Sequence, residues 1–494
     1  MQKCKRLWFF VGWVIFSCSK DSNSIEVSTS PPDIGDSDLP YLRVTTNERI
    51  ENEPKVPGVL TIFEDNELTF SHPIGIEYRG STSFRLSDKK SYGIETWDEQ
   101  NNDVDASILG FPEEEDWILN GHVFRSSNNI LFDPSLMHHY IGYNLYASMG
   151  RYASRTKFVE LEVNEVYQGV YVFMEKLKRD RERIAIEKLT PNENSSPEIS
   201  GGYILKIDKT AGGDVAPDQP LDYYNDNWAD DARYSAAISF RSNYDINGNP
   251  INFDAFDPPY HANQYLETYF LYEYPKSDEI TNEQKNYIQG YINDFETALL
   301  QDDFSSNTRT YTQFVDLDSF VDFFIINEIT GNVDGYRLST FLHKDRGEKL
   351  KMGPIWDLNI GYNRQDRVPV TDWIANYNNY VPQDPWMVPF WWPRLLQDPV
   401  FKQRLKQRWQ SLRQNEFSND RVLGLVQSTA DYLIDNGAIE RNYQKWSGIF
   451  VDYPAAVSEL KTYLENRLQW IDTQVATYER INSNFLIIYW CVGR

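Results

Sequence analysis

A chain of 494 residues can bury a large core, and its 41% hydrophobic and 24% charged content is that of an ordinary globular protein of two or three domains, or of one elaborated domain. Its 48 Lys+Arg against 73 Asp+Glu give a formal charge of −25, which repels a phosphate backbone and argues against a nucleic-acid partner, while leaving open a small phosphate ligand accompanied by a divalent metal. Aromatics reach 15%, a surplus met in large β-containing folds and in sugar-stacking platforms.

The first element is a targeting segment. "MQKCKR" is basic, Leu7–Ser17 is apolar but too short to span a bilayer comfortably, and Cys18 is followed by a polar, Ser- and Asp-rich stretch. This order resembles a bacterial lipoprotein signal, with residues 1–18 as signal peptide and Cys18 as the lipidated residue; an ordinary signal peptide or an uncleaved anchor is the alternative. The acidic and Ser residues after Cys18 resemble the surface-export signals of Bacteroidetes-type lipoproteins. The expected location is therefore the bacterial outer membrane or cell surface, lipid-anchored, with a periplasm-facing position also open. With Cys18 lipidated and Cys4 removed, only Cys491 remains, so no intrachain disulfide is expected.

Residues 19–40 read as a disordered tether. From Tyr41 the alternation predicts strands at "YLRVTT", "GVLTIFE", "IGIEYRG" and "KKSYGIETWD", the last placing Lys90, Tyr92 and Ile94 on one face. A helix is expected after Asp133 as N-cap, with Pro134 at its first position and Gly150 past its end. Adjacent His138 and His139 point about 100° apart on a helix, so one should be packed and the other exposed. "KFVELEVNEVYQGVYVFMEKLK" is a hairpin, and "GGYILKID" a further strand. These elements make a sheet-rich part over 41–210. Residues 211–263 read as a loop-rich insertion, 264–480 as a mainly helical part, and 481–494 as an apolar tail of unassigned role. Within the helical part, "WIANYNNYVPQDPWMVPFWWP" has too many prolines for a long helix and reads as a packed aromatic belt, with Trp391 and Trp392 as candidates should it be a ligand platform.

P-loop, dinucleotide-binding, zincin and serine-hydrolase motifs are absent. What remains is a pair of acids in turn-like settings: Asp334, after an apolar helix, and Asp357, after two short strands. On the residues alone, "NVDG" is also good turn chemistry. The order — a sheet with a basic strand, a helix, a hairpin, a helix ending at an Asp-bearing loop, two strands, a second Asp — is the one used by protein-kinase-like phosphotransferases.

Several segments resemble the CotH kinase family. They are "YRGSTSF…KKSYGIE", "DPSLMHHYIGYNLYASMG", "VYQGVYVFMEKLK", "FVDFFIINEITGNVDGY" and "LKMGPIWDLNIGY", spread over roughly residues 75 to 475. The resemblance implies an α+β, atypical protein-kinase-like fold, with a mainly antiparallel sheet part before a mainly helical part. It implies ATP with Mg²⁺ or Mn²⁺ as cofactors and a secreted or surface protein as acceptor. Carried over by position, it implies Asp334 as the catalytic carboxylate and Asp357 as principal metal ligand, with Asn332 and Asn359 as polar ligands. Lys90, or Lys89, would contact phosphates, and Glu175 and Lys206 would lie near the nucleotide. Ser339 stands where the family often has Asn, and Asn359 where it often has a second acid. These departures leave open a slow kinase, another nucleotide transfer, or a non-catalytic surface lipoprotein that binds glycan or protein.

Overall fold

The computed structural model describes residues 25, 27–35, 37–210, 231–362 and 366–478. The expected signal segment with Cys18, the first part of the insertion (211–230) and the apolar tail lie outside the described residues. Among the described residues no helix is long and apolar enough to cross a membrane.

The chain is α+β. Strands β1 (Tyr41–Thr45), β2 (Val56–Glu64), β3 (Glu67–Arg79), β4 (Ser91–Thr96), β5 (Asp116–Gly121), β8 (Thr156–Val163) and β9 (Val166–Glu175) close into a barrel in the order β1-β2-β3-β4-β5-β9-β8. A short helix α1 (Thr82–Leu86) follows β3, and a two-strand patch, β6 (Phe124–Arg125) with β7 (Ile130–Leu131), follows β5. Neighbours pair antiparallel except β1 with β8, which run parallel and seal the cylinder. Closure removes the exposed edges an open sheet would leave. Period-2 alternation fills the interior with Leu42, Val44, Leu60, Ile62, Ile74 and Ile76 among others.

The hairpin falls where the sequence places it, as β8–β9 with Val163 opposite Val166. Helix α2 (His138–Ser148) begins later than expected. Asp133 does not cap it directly; its buried carboxylate accepts from Ser135 N and Oγ and from His138 N, bracing a turn in which Leu136 has φ +62°. Both His138 and His139 are buried, against the expectation of one exposed. The tether is fastened from Ser28 on: Arg43 donates to Ser28 O and Ser30 O, and Arg441 to Ile34 O.

Strand β10 (Tyr203–Ile207) leaves the barrel and joins a second, five-stranded sheet with β11 (Ser239–Arg241), β12 (Tyr269–Tyr274), β13 (Thr340–Lys344) and β14 (Leu350–Met352), in the order β11-β12-β10-β13-β14. The insertion thus contributes a strand as well as loops. The helices are α3 (Asn282–Leu300), α4 (Leu317–Ile329), α5 (Tyr377–Tyr380), α6 (Trp391–Leu395), α7 (Pro399–Gln414), α8 (Asn419–Asp435), α9 (Ala438–Lys445) and α10 (Tyr453–Ala476). Local chemistry starts them: Thr281 and Gln284 form a capping box on α3, and Asp316, Asp398 and Asp452 cap α4, α7 and α10. Trp391 and Trp392 are fully buried, so that part of the aromatic belt is core.

Helix α4 is buried all round except at Asp318 in its first turn. Its Glu328 is paired with Arg467 of α10 at 2.6 Å, both side chains wholly shielded. Glu328 also accepts from the amides of Ile374 and Ala375 and from Tyr336 OH, while Arg467 donates to the carbonyls of Glu328, Val370 and Asp372. Removing one partner strands a buried charge, so Arg467→Ala should lose about 3–5 kcal/mol in urea unfolding. A second buried acid behaves differently. Glu296 of α3 accepts from Ser242 Oγ and Trp391 Nε1, and burial pushes its carboxyl up to about 7. The folded chain keeps a proton that the unfolded chain releases near its ordinary value of 4.5, so stability falls as pH rises from about 4.5 to about 7. Glu296→Gln should match the parent near pH 4 and exceed it by roughly 3 kcal/mol near pH 8, measured by denaturant titration at each pH.

Candidate functional site: two acids on one cleft

A cleft of about 360 Å³ opens between barrel and helical part, and both Asp334 and Asp357 line it. Its walls carry Arg79, Lys206, Lys209, Arg337 and Arg367 against Asp208, Asp334, Asp357 and Asp384. In a chain of net charge −25 this is a local surplus of positive charge, suited to an anion.

Asp334 sits in the turn that ends α4. Its backbone N–H donates to Asn332 Oδ1, and its carbonyl accepts from Arg337 N and Leu338 N. Gly335 makes the turn possible, because a Cβ there would meet Asn327 Oδ1 at 2.2 Å. Arg337 Nη2 donates to Asp334 Oδ1 at 2.5 Å. Burial raises the Asp334 carboxyl above the usual range, opposed by Arg337 and reinforced by the charge of Asp357.

Asp357 is held by α2. Its N–H donates to Tyr143 OH at 3.2 Å, and the next N–H, of Leu358, donates to His139 Nε2 at 3.2 Å. Gly142 lets Leu358 press against the helix, since a Cβ there would lie 2.0 Å from Leu358 Cδ1. Asp357 itself takes φ +52°, a left-handed conformation unfavourable for a non-glycine residue. Its side chain is 38% exposed to the cleft. Burial pushes the carboxyl up, but His139 beside it, the Asn359 N–H and the Arg79 charge outweigh this and hold it below the usual range. The two acids therefore titrate apart, one raised and one lowered.

Three other expected residues reach the cleft. Lys206 lines it, with Nζ 2.8 Å from Asp208 Oδ2. Asn359 lines it too, as does Ser339, whose Oγ donates to Asp208 Oδ2 at 3.4 Å. The others do not. Lys90 turns away: its Nζ donates to the carbonyls of Phe84 and Ser87 at the end of α1. Lys89 is buried against Val170 O and Asn442 Oδ1. Both precede β4, which begins at Ser91, so strand alternation does not aim them. Glu175 is buried on the barrel-interior face of β9, opposite Trp117 and paired with Arg155 at 2.6 Å; Met174, one residue earlier and so on the outer strand face, lines the cleft instead. Asn332 is buried, with Nδ2 donating to Asn327 Oδ1, and serves the turn rather than the cleft.

Sequence reasoning passed over Arg79, Asp208, Lys209, Arg337 and Trp386. Two left a signal: Asp208 lies two residues after Lys206, just past the end of β10, and Arg337 three after Asp334. The others come together only through tertiary packing. A divalent cation fits the acid pair by donor chemistry: the Asp357 carboxylate, open to the cleft, has no Lys or Arg ion pair among the described residues, and Asn359 adds a neutral oxygen nearby. By contrast, Asp105, Glu114 and Glu115 bring three carboxylates within 4.8 Å, but Lys178 already supplies their cation, 2.7 Å from Glu114. Because Asn332 serves only the turn, Asn332→Ala should lower stability by about 1–2 kcal/mol in chemical denaturation without removing any group from the cleft.

No curated protein matches the chain. The family profile described as CotH kinase protein matches residues 76–471, a span that holds every cleft-lining residue from Arg79 to Trp386. The chain belongs to the CotH kinase family.

Proposed function

We propose that the chain is a phosphotransferase of kinase-like fold that moves the γ-phosphate of ATP to a protein hydroxyl outside the cytoplasm, tethered to the outer membrane or cell surface through Cys18. The observation that carries the reading is the convergence of Asp334 and Asp357, from opposite sides of two strands, on one cleft with a cationic wall. Asp357 with Asn359 would hold Mg²⁺ or Mn²⁺, which neutralises charge on the phosphates. Lys206, Lys209 and Arg79 take the phosphate oxygens. The oxygen of Asp334 not taken by Arg337 orients the acceptor hydroxyl and receives its proton as the new O–P bond forms and the bond to the β-phosphate oxygen breaks. Lys90, Glu175 and Asn332 have no part in it.

The test is calorimetric titration of the full chain with ATP plus Mg²⁺ or Mn²⁺, followed by transfer of radiolabelled phosphate to dephosphorylated casein and to the chain itself. Asp357→Ala should abolish metal-dependent nucleotide binding. Asp334→Asn should still bind but lose at least about 100-fold in transfer. Lys206→Met should weaken binding by about tenfold, the worth of one charge-assisted hydrogen bond, while Lys90→Met leaves it unchanged. Saturable binding to a glycan array with no nucleotide affinity would instead establish a non-catalytic surface lipoprotein.

A further inference from the structure

Arg337 is nearly inaccessible, at 2% exposure, yet it lines the cleft. Four of its five N–H groups are engaged. Nε donates to Val333 O at 2.8 Å, Nη1 to Asp384 Oδ1 at 3.1 Å and to Trp386 O at 2.9 Å, and Nη2 to Asp334 Oδ1 at 2.5 Å. The ring of Tyr377 lies 4.2 Å from its central carbon, and Tyr377 OH donates to the other oxygen of Asp384. One planar group thus joins the turn carrying Asp334 to Asp384–Trp386, the wall of the cleft contributed by the aromatic belt.

We propose that Arg337 is the positioning residue of the reaction. It holds Asp334 by Oδ1, leaving Oδ2, which has no donor among the described residues, to face the acceptor. It also makes the acid and the Asp384–Trp386 wall one rigid unit. Whatever shifts the wall therefore shifts the acid as well. The inference rests on the phosphotransfer reading above. A fork geometry is required: a lysine carries the charge but cannot reach Asp334, Asp384 and two carbonyls from one plane.

Arg337→Lys and Asp384→Asn test this in the full chain, with nucleotide affinity, transfer rate and thermal midpoint measured on each. Arg337→Lys should bind ATP–Mg²⁺ within about twofold of the parent and transfer phosphate about 100-fold more slowly, the cost of a displacement of about 1 Å at a reacting group. Asp384→Asn, which loosens the wall but keeps Arg337, should slow transfer about tenfold with binding again unchanged. Should Arg337→Lys fail to fold, Asp384→Asn decides alone. In Arg337→Ala, whose gap matches ethylguanidinium, added ethylguanidinium should restore part of the lost rate with the thermal midpoint and nucleotide affinity unchanged, which a purely structural residue would not show. Parent-like transfer in Asp384→Asn overturns the proposal, as does a loss of rate in Arg337→Lys matched by an equal loss of nucleotide affinity. An absence of transfer in the parent chain itself removes the phosphotransfer reading, and this inference with it.

Discussion

The buried Glu328–Arg467 pair is the constraint on which the site depends. It stands near the C-terminal end of α4, one turn of chain before the Asp334 loop, with neither side chain reaching water. A charge pair in such a place gains stability only if every remaining donor and acceptor is met. Here they are met by Tyr336 OH, by the Glu328 carbonyl and by the backbone of residues 370–375, which leads into the aromatic belt. One pair therefore fixes three things together: the end of α4, the position of α10 and the start of the belt. The Asp334 turn and the Asp384–Trp386 wall inherit their relative placement from it, and Arg337 repeats the connection nearer the cleft.

Strain gathers around the two acids. Tyr336, Ser339, Asp357 and Tyr362 all take positive φ without being glycine. Each costs on the order of 1–3 kcal/mol, and the surrounding packing must impose it. Tyr336 is tied by its hydroxyl to Glu328, and Tyr362 by its hydroxyl to His138 O. The same packing gives the acids unlike environments. Burial outweighs the nearby cations, Arg337 first, at Asp334, whereas at Asp357 it is outweighed by His139, the Asn359 N–H and the Arg79 charge. Two carboxylates whose environments push them in opposite directions are suited to different tasks, one to proton handling and one to holding a cation.

The barrel supplies less to the site than a lysine-bearing sheet was expected to. Its contributions are the loop from Arg79 to Ser83, with Ser91, Asn120 and Met174. The cationic wall comes mainly from the second sheet and its flanks. Asp231, fully buried, accepts from Ser81, Arg85 and Lys209 and so binds that loop to the end of β10. The cleft is thereby held across its two sides by a hydrogen-bonded carboxylate rather than by a hinge contact.

What the sequence determined by itself was the order of elements and the residues whose chemistry shows in their neighbours. The hairpin follows from alternation and its turn, and Asp334 and Asp357 from an apolar helix, two strands and the spacing between them. The family could be read because several motifs recur in one order. What only the tertiary structure decided was which way polar side chains point. A two-residue difference in where β4 begins turns Lys90 into a cap on α1, strand alternation puts Glu175 on the barrel-interior face while Met174 faces the cleft, and a turn hydrogen bond claims Asn332. Asp231 and Trp386 act through partners far away in the chain, as does Arg337 in its bonds to Asp384 and Trp386, and no local pattern encodes a contact of that range, because period and propensity report only on the few residues to either side.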